Sequence, residues 1–235
     1  MPLSAHLFIG AALAQLIVTA VWRLASRRHS LPCPVWLRWM VELDNPFTKT
    51  NRAAFIVEQL GLEPGMSVLD AGCGPGRLTI PVAERIGPSG RVVAMDLQSG
   101  MLTRVAERTK AAGLTNVERL HAGLGDGILG HERFDRVLLV TVLGEIPNQA
   151  AALRELFEAL RPGGILSVTE VIFDPHFQPR GRLTALAVAA GFHERAFFGH
   201  RLAYVMHFEK TGGREPFPLP DRGSAAVDRP EIIFQ

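Results

Sequence analysis

The sequence predicts a doubly wound α/β domain, a parallel sheet covered by helices on both faces, with a transmembrane helix ahead of it. Three observations carry that expectation. Strands alternate with helices from residue 52 onward, a glycine-rich turn joins the first strand to a helix, and an uncharged apolar run stands near the front of the chain. At 235 residues, 47% apolar and 20% charged, the chain is sized for one domain with a sizeable core. A wholly disordered chain is excluded. Lys and Arg number 25 against 23 Asp and Glu, a net charge of +2, so neither a nucleic-acid footprint nor an acidic tail is indicated. Cys33 and Cys73 stand apart, with no second Cys or suitably spaced His to complete a metal set, and read as reduced thiols.

The front of the chain is read as a membrane anchor, residues 1–30. Pro2 to Trp22 contains 21 residues without a formal charge, 15 of them Ala, Leu, Ile, Val, Phe or Trp. As a helix this run is roughly 31 Å long, close to the thickness of a hydrocarbon core. No positive charge precedes it, as a secretory signal would require. Arg23, Arg27 and Arg28 follow it instead, which leaves the rest of a single-pass chain on the cytoplasmic side. Residues 31–51 form an interfacial helix and a linker. Pro32 and Pro34 break the chain, Trp36 and Trp39 stand beside basic residues, and Asn45 to Arg52 is a candidate lid. Packing of the two Trp against the domain, and a plain linker, are the alternatives.

The domain itself spans 52–210. Its expected order is a helix at 53–60, strand 67–70, helix 78–86, strand 91–96, helix 100–112 and strands 117–120 and 136–141. A helix at 149–160, strand 165–171, helix 183–190 and strands 196–198 and 203–209 complete it. The tail, 211–235, carries four prolines and three glycines with no apolar period and is read as loose.

The most informative segment is Val68-Leu-Asp-Ala-Gly-Cys-Gly-Pro-Gly-Arg-Leu78. A buried strand ends at Asp70, and Gly72, Gly74 and Gly76 follow at every second position before a helix opens. Glycine there lets a ligand approach the main chain. Twenty-six residues beyond Asp70, the strand 91–95 ends in Asp96, where a carboxylate can accept both hydroxyls of a ribose. The Lys and Ser/Thr of a triphosphate loop are absent, and Asp70 would repel a pyrophosphate. An adenosyl ligand with a cationic amino-acid end fits the two acids better.

Through Val68 to Gly76, Met95-Asp96, Phe134-Asp-Arg-Val-Leu-Leu139 and Leu160-Arg-Pro-Gly-Gly164, the chain resembles the class I S-adenosylmethionine-dependent methyltransferases over roughly residues 50–210. The resemblance implies a Rossmann-like, mostly parallel seven-stranded sheet with a final antiparallel strand, and S-adenosylmethionine as cofactor. It implies that Asp70, Gly72 and Gly74 hold the methionine end, Asp96 the ribose, and Leu97 and Met101 the adenine, with Ala71 and Cys73 also in the cofactor site. Gly123, Asp126 and Thr141 complete the expected cofactor set. His121-Ala-Gly-Leu-Gly-Asp126 departs from the family's Gly-Asp-Ala, and Asp126 serves only if that loop is shifted.

Methyl transfer asks an enzyme mainly to position a nucleophile and exclude water. Loops leaving the carboxyl ends of the fourth and fifth strands carry Glu145 and His176, the two candidate proton acceptors. A loop-fixing Glu145 and a surface His176 are the competing readings. The family's Asn/Asp-Pro-Pro-Tyr is absent after the fourth strand, which disfavours base amino groups as acceptors. The expected function is therefore a membrane-anchored methyltransferase acting on a lipophilic small molecule: a lipid, a quinone precursor, or a hydrophobic thiol or amine. A methyltransferase of a soluble small molecule, or a non-catalytic S-adenosylmethionine-binding membrane module, are the alternatives.

Overall fold

A computed structural model describes residues 18, 21, 24, 41–44 and 48–211. Five helices of more than one turn alternate with strands there: α1 (Ala53–Gln59), α2 (Thr79–Ile86), α3 (Ser99–Ala111), α4 (Gln149–Ala159) and α5 (Arg180–Ala189). The strands are β1 (Ser67–Ala71), β2 (Arg91–Asp96), β3 (Val117–His121), β4 (Phe134–Val140), β5 (Leu160–Val171), β6 (His193–His200) and β7 (Ala203–Glu209). Among the described residues these seven strands form one sheet in the order β3-β2-β1-β4-β5-β7-β6. The neighbours from β3 to β5 pair in parallel, and β7 lies antiparallel between β5 and β6. The order in which strands are added reverses between β1 and β4, the point at which open α/β sheets leave a crevice at their carboxyl ends.

Central position explains composition. Every residue of β1 is buried, as a parallel strand sandwiched between helices requires. Val68, Val92, Leu138 and Val205 face Ile56 of α1 and Val82 and Ile86 of α2. Leu69, Val93, Leu139 and Val168 face Leu153 and Leu156 of α4 and Leu183 of α5. Burying one such Leu or Ile contributes on the order of 2 kcal/mol, so the two layers together hold the sheet rigid beneath its carboxyl rim. Local signals set the helix ends. Pro81 sits in the first turn of α2, where its missing amide is harmless, and Gly87 closes that helix at φ 69°. Asn148 caps α4 by accepting the Ala151 amide at 3.0 Å.

The expected element order is observed, with three boundary corrections. The fifth strand starts at Leu160 instead of Ile165: Phe134 pairs with Leu160 and Arg136 with Ile165, so Arg161 to Gly164 forms an irregularity within the strand. Main-chain bonds from Gly163 to Lys210 and from Lys210 to Gly164 hold it in the sheet. The sixth strand runs over 193–200 instead of 196–198, because pairing with β7 extends an edge whose polar residues conceal its pattern. The last helix opens at Arg180, three residues before the apolar stripe signals it.

The anchor expected over 1–30 lies outside the described residues except for Val18, Val21 and Leu24, which are helical and exposed. Among the described residues no helix is long and apolar enough to cross a membrane. The interfacial helix expected over Val35 to Val41 also lies outside them, apart from Val41, and so does the tail beyond 211.

Candidate active site

The glycine turn is built from β1 outward. Gly72 and Cys73 donate their amides to the Met95 carbonyl at 2.8 and 2.9 Å, which fastens the turn to the end of β2. Gly72 and Gly74 have φ of 72° and 51°, in the region that favours glycine. A side chain at Gly72 would stand 2.5 Å from Val142 on the loop after β4, whereas above Gly74 nothing lies within 4 Å. The first glycine therefore permits close packing; the second leaves room for a ligand.

Two carboxylates secure this turn. Asp96 accepts the Gly74 amide at 2.9 Å through Oδ2 and the Gln98 amide at 2.8 Å through Oδ1. Burial raises its carboxyl above the ordinary range, against the pull of those two amides. Asp70 lies beneath the turn, 3% exposed, and accepts the Thr79 hydroxyl at 2.6 Å. Burial pushes it up to about 6, opposed by the Thr79 hydroxyl and the nearby Arg77 guanidinium. Cys73 is buried, and burial together with the Asp70 and Asp96 charges drives its thiol well above its usual value. It stays protonated and is no nucleophile. Ala71 is likewise interior.

The structure places Leu97, Gly123 and Asp126 together: a side chain at Gly123 would stand 3.1 Å from Leu97 and 3.2 Å from the Asp126 carboxylate. Leu97 is 62% exposed, while Met101 is turned into the interior at 2%. The loop holding Asp126 is fixed by Glu155 of α4, whose carboxylate accepts amides from Gly125, Ile128 and Leu129. Sequence reasoning missed this buried acid, because in a helical pattern it reads as a solvated face. Thr141 follows β4 with φ 54°, a left-handed conformation rare for a β-branched residue. Its hydroxyl donates to the Val140 carbonyl at 2.8 Å. Ahead of the domain, Asp44 and Asn51 both bind Arg77, which follows the glycine turn, so the Asn51 end of the candidate lid lies against it.

Glu145 and His176 meet. His176 Nδ1 stands 3.8 Å from Glu145 Oε1 and 3.8 Å from Asp174 Oδ1, and the His176 amide donates to Asp174 Oδ1 at 2.7 Å. His176 is buried, which overturns its surface reading. Burial pushes the Glu145 carboxyl up to about 8, helped by the negative charges of Asp174 and Asp96. Asp174 was not anticipated from the sequence, although Asp-Pro-His is a spacing at which an Asp side chain folds back onto the amide two residues on.

A supporting layer lies behind this triad. Gln178 donates its amide to Glu170 at 3.0 Å and its side-chain amide to the His176 carbonyl at 2.6 Å, while the Tyr204 hydroxyl donates to the Gln178 carbonyl. Burial drives Glu170 up to about 8 as well. His176 opens on a cavity of about 520 Å³ between the loops after β4 and β5. Its lining includes Gly144, Asn148, Gln149, His176, Gln178 and Arg182, a mostly polar surface of small-ligand size.

Comparison with known proteins agrees with this layout. Residues 68–164 match the family described as methyltransferase domain. Over 106 residues the chain is 36% identical to the demethylmenaquinone methyltransferase of Listeria welshimeri serovar 6b, a match that covers 45% of each protein. The chain thus spans under half the length of the curated relatives it matches. A solved S-adenosylmethionine-dependent methyltransferase from Aquifex aeolicus superimposes with a TM-score of 0.66 at 19% identity, covering 75% of this chain and 98% of that one. The cyclase SpnF superimposes with a TM-score of 0.62 at 18% identity, covering 68% and 81%. At these identities the structural likeness speaks for the fold alone.

Proposed function

We propose that this chain, which carries a class I S-adenosylmethionine-dependent methyltransferase domain, transfers a methyl group to a small lipophilic acceptor whose reacting atom gives up a proton to His176. S-adenosylmethionine is the cofactor of that domain; when bound it supplies an electrophilic methyl group on a sulfonium cation. The residues present fit it. Gly74 leaves open space, and the negative charges of Asp96 and Asp174 act together at Glu145. A field of that sign favours a cation. Asp96 and the glycine turn would hold the nucleoside, with Leu97, Gly123 and Asp126 beside its base and Asp70 supporting the turn from below.

The observation that carries the reading is the meeting of Glu145 and Asp174 at His176, which lines a cavity between the loops after β4 and β5. Glu145, pushed up to about 8, keeps its proton at neutral pH, so the imidazole between the two acids is the available base. Asp174 orients that ring through the local turn and stabilises the imidazolium formed. Likeness to demethylmenaquinone methyltransferases supports a quinone-type acceptor ahead of a phospholipid amine or a thiol. The apolar run 2–22 with Arg23, Arg27 and Arg28 behind it supports a single-pass anchor with the domain on the cytoplasmic face. The polar cavity lining favours a second reading, a soluble acceptor with the anchor serving as a tether.

The test is transfer of labelled methyl from S-adenosylmethionine by the full-length protein to vesicles carrying reduced demethylmenaquinone, phosphatidylethanolamine or a long-chain thiol. Label in the lipid phase is expected with the quinone-type acceptor. Label only in a water-soluble acceptor selects the second reading. Calorimetric cofactor binding with no labelled product in any arm would make the chain a non-catalytic module.

A further inference from the structure

The cavity that His176 lines is also lined by the first turns of α4 and α5, whose groups the proposed proton transfer does not use. Arg182 of α5 is exposed there, and its Nη2 donates to the Gln149 side-chain oxygen at 3.2 Å. Among the described residues no carboxylate pairs with it, whereas Arg180, two positions earlier, is held by Glu194 at 2.6 Å. Gln149 and Ala150 open α4 at the same cavity. The Asn148 side chain takes the Ala151 amide, and the two amides ahead of it have no intrahelical acceptor. A buried oxygen completes the set. Gln178 lines the cavity and is 6% exposed; its side-chain nitrogen donates to the His176 carbonyl, but its side-chain oxygen has no partner among the described residues.

We infer that the cavity recognises its methyl acceptor by an ionised carboxylate, held by the Arg182 guanidinium and the first amides of α4, while a hydroxyl of the same molecule reaches Gln178 and His176. The acceptor class is a hydroxyaryl carboxylate. A guanidinium presents paired N–H groups that match the two oxygens of a carboxylate, and the positive end of a helix adds to the attraction. The orphaned Gln178 oxygen calls for a donor, which a hydroxyl supplies and a carboxylate does not. Charge decides which end goes where. Asp174 Oδ1 stands 3.8 Å from His176 Nδ1 and repels an anion there, so the carboxylate belongs at Arg182 and the hydroxyl at the imidazole. The aryl body comes from the quinone-type acceptor, so this inference deepens that reading and rests on it. A lone surface arginine needs no ligand, but a guanidinium, two helix amides and a buried orphan oxygen around one cavity of about 520 Å³ do.

The probes are para-hydroxycinnamate, its neutral amide para-hydroxycinnamamide, and cinnamate, which lacks the hydroxyl. Each is titrated calorimetrically into the full-length protein, its Arg182→Gln variant and its Arg182→Lys variant, with thermal melts as the control for folding. In the unaltered protein the acid should bind about tenfold tighter than the amide, the scale of a charge-assisted pair. That preference should vanish in Arg182→Gln and survive in part in Arg182→Lys, which keeps the charge without the fork. Cinnamate should bind several-fold more weakly than para-hydroxycinnamate; equal affinity would overturn the hydroxyl contact. A carboxylate preference that persists in Arg182→Gln, or no binding of acid or amide at millimolar concentration, would overturn the site. Labelled methyl transfer to the acceptors named above is measured in parallel. Equal affinities for acid and amide with transfer intact overturn the carboxylate site and leave the transfer reading standing. A preference that depends on Arg182, with no transfer to any acceptor, overturns the cavity's use for a methyl acceptor and leaves only a carboxylate-binding pocket.

Discussion

The carboxylate that ends β2 holds the turn that leaves β1: Asp96 Oδ2 accepts the Gly74 amide at 2.9 Å across 22 positions of sequence. One side chain thus shapes the cofactor loop and offers its remaining lone pairs to a ligand over it. Asp96→Ala should weaken S-adenosylmethionine binding by about 1–3 kcal/mol, the scale of a lost charge-assisted hydrogen bond. Isothermal titration calorimetry checks it; an unchanged affinity would remove Asp96 from the site.

Gly72 and Gly74 should respond differently to the same change. Gly72→Ala meets Val142 at 2.5 Å as well as an unfavourable φ, so it should lower stability by about 1–3 kcal/mol. Gly74→Ala meets no protein atom and should cost only about 1–2 kcal/mol for its left-handed backbone. It should nonetheless lose most cofactor affinity, because the added methyl enters the ligand's space. Thermal melts and calorimetry on the two variants distinguish packing from binding.

Thr141 stores strain at the rim. Thr141→Asn, a residue better suited to φ 54°, should gain about 1 kcal/mol and raise Tm by about 2–4 °C. If the strained conformation aims the β4 loop at the cofactor, the same variant will show reduced kcat. A lower melting temperature would mean that the Thr141 side chain contributes more than its backbone costs.

The triad makes a kinetic prediction. His176→Ala should lower kcat by about 10²–10⁴ with cofactor affinity unchanged, the contribution of a positioned general base. Asp174→Asn should lower it less. Glu145 ionises near pH 8, and its charge then favours the cationic cofactor, so affinity should rise as pH increases through about 8 and stay flat in Glu145→Gln. A pH-independent affinity in the unaltered protein would place Glu145 too far away to matter.

Stability should carry the opposite slope. Glu145 and Glu170 have folded-state values near 8 against 4.5 for the free group, so the folded chain holds protons that the unfolded chain releases. Their stabilising share is complete below about pH 4.5 and is lost as pH rises through about 8. His207, which burial lowers to about 4 with Arg136 adding to the effect, works the other way: its share is complete above about 6.5 and fades toward 4. Thermal melts across this range should flatten on the alkaline side in Glu170→Gln, which keeps an acceptor for the Gln178 amide. An alkaline limb as steep as in the unaltered chain would refute the assignment to Glu170.

How far the chain could be read in advance depended on the reach of each interaction. The glycine turn, the two acids that end β1 and β2, and the order of helices and strands were legible, because each is written in adjacent residues with period 2 or 3.6. Glu145 and His176 were recognisable as rim residues, since β4 and β5 must end there. Their junction with Asp174, and the fastening of that loop by Gln178 to Glu170 and Tyr204, were not. Those contacts join separate elements, and no local pattern reports them. The same limit hid the Arg161–Gly164 irregularity and the full length of β6, both of which depend on pairing with neighbouring strands.

The sequence by itself therefore determined an α/β sheet whose first turn is shaped for a cationic nucleoside, since backbone freedom at Gly72 and Gly74 and the ends of buried strands are local properties. Only the tertiary structure decided that Asp96 ties that turn and that β7 enters between β5 and β6. It also brought Glu145 and Asp174 to His176 at the edge of a polar cavity. Side chains distant in sequence become neighbours only when the sheet closes its register and the helices bury its two faces.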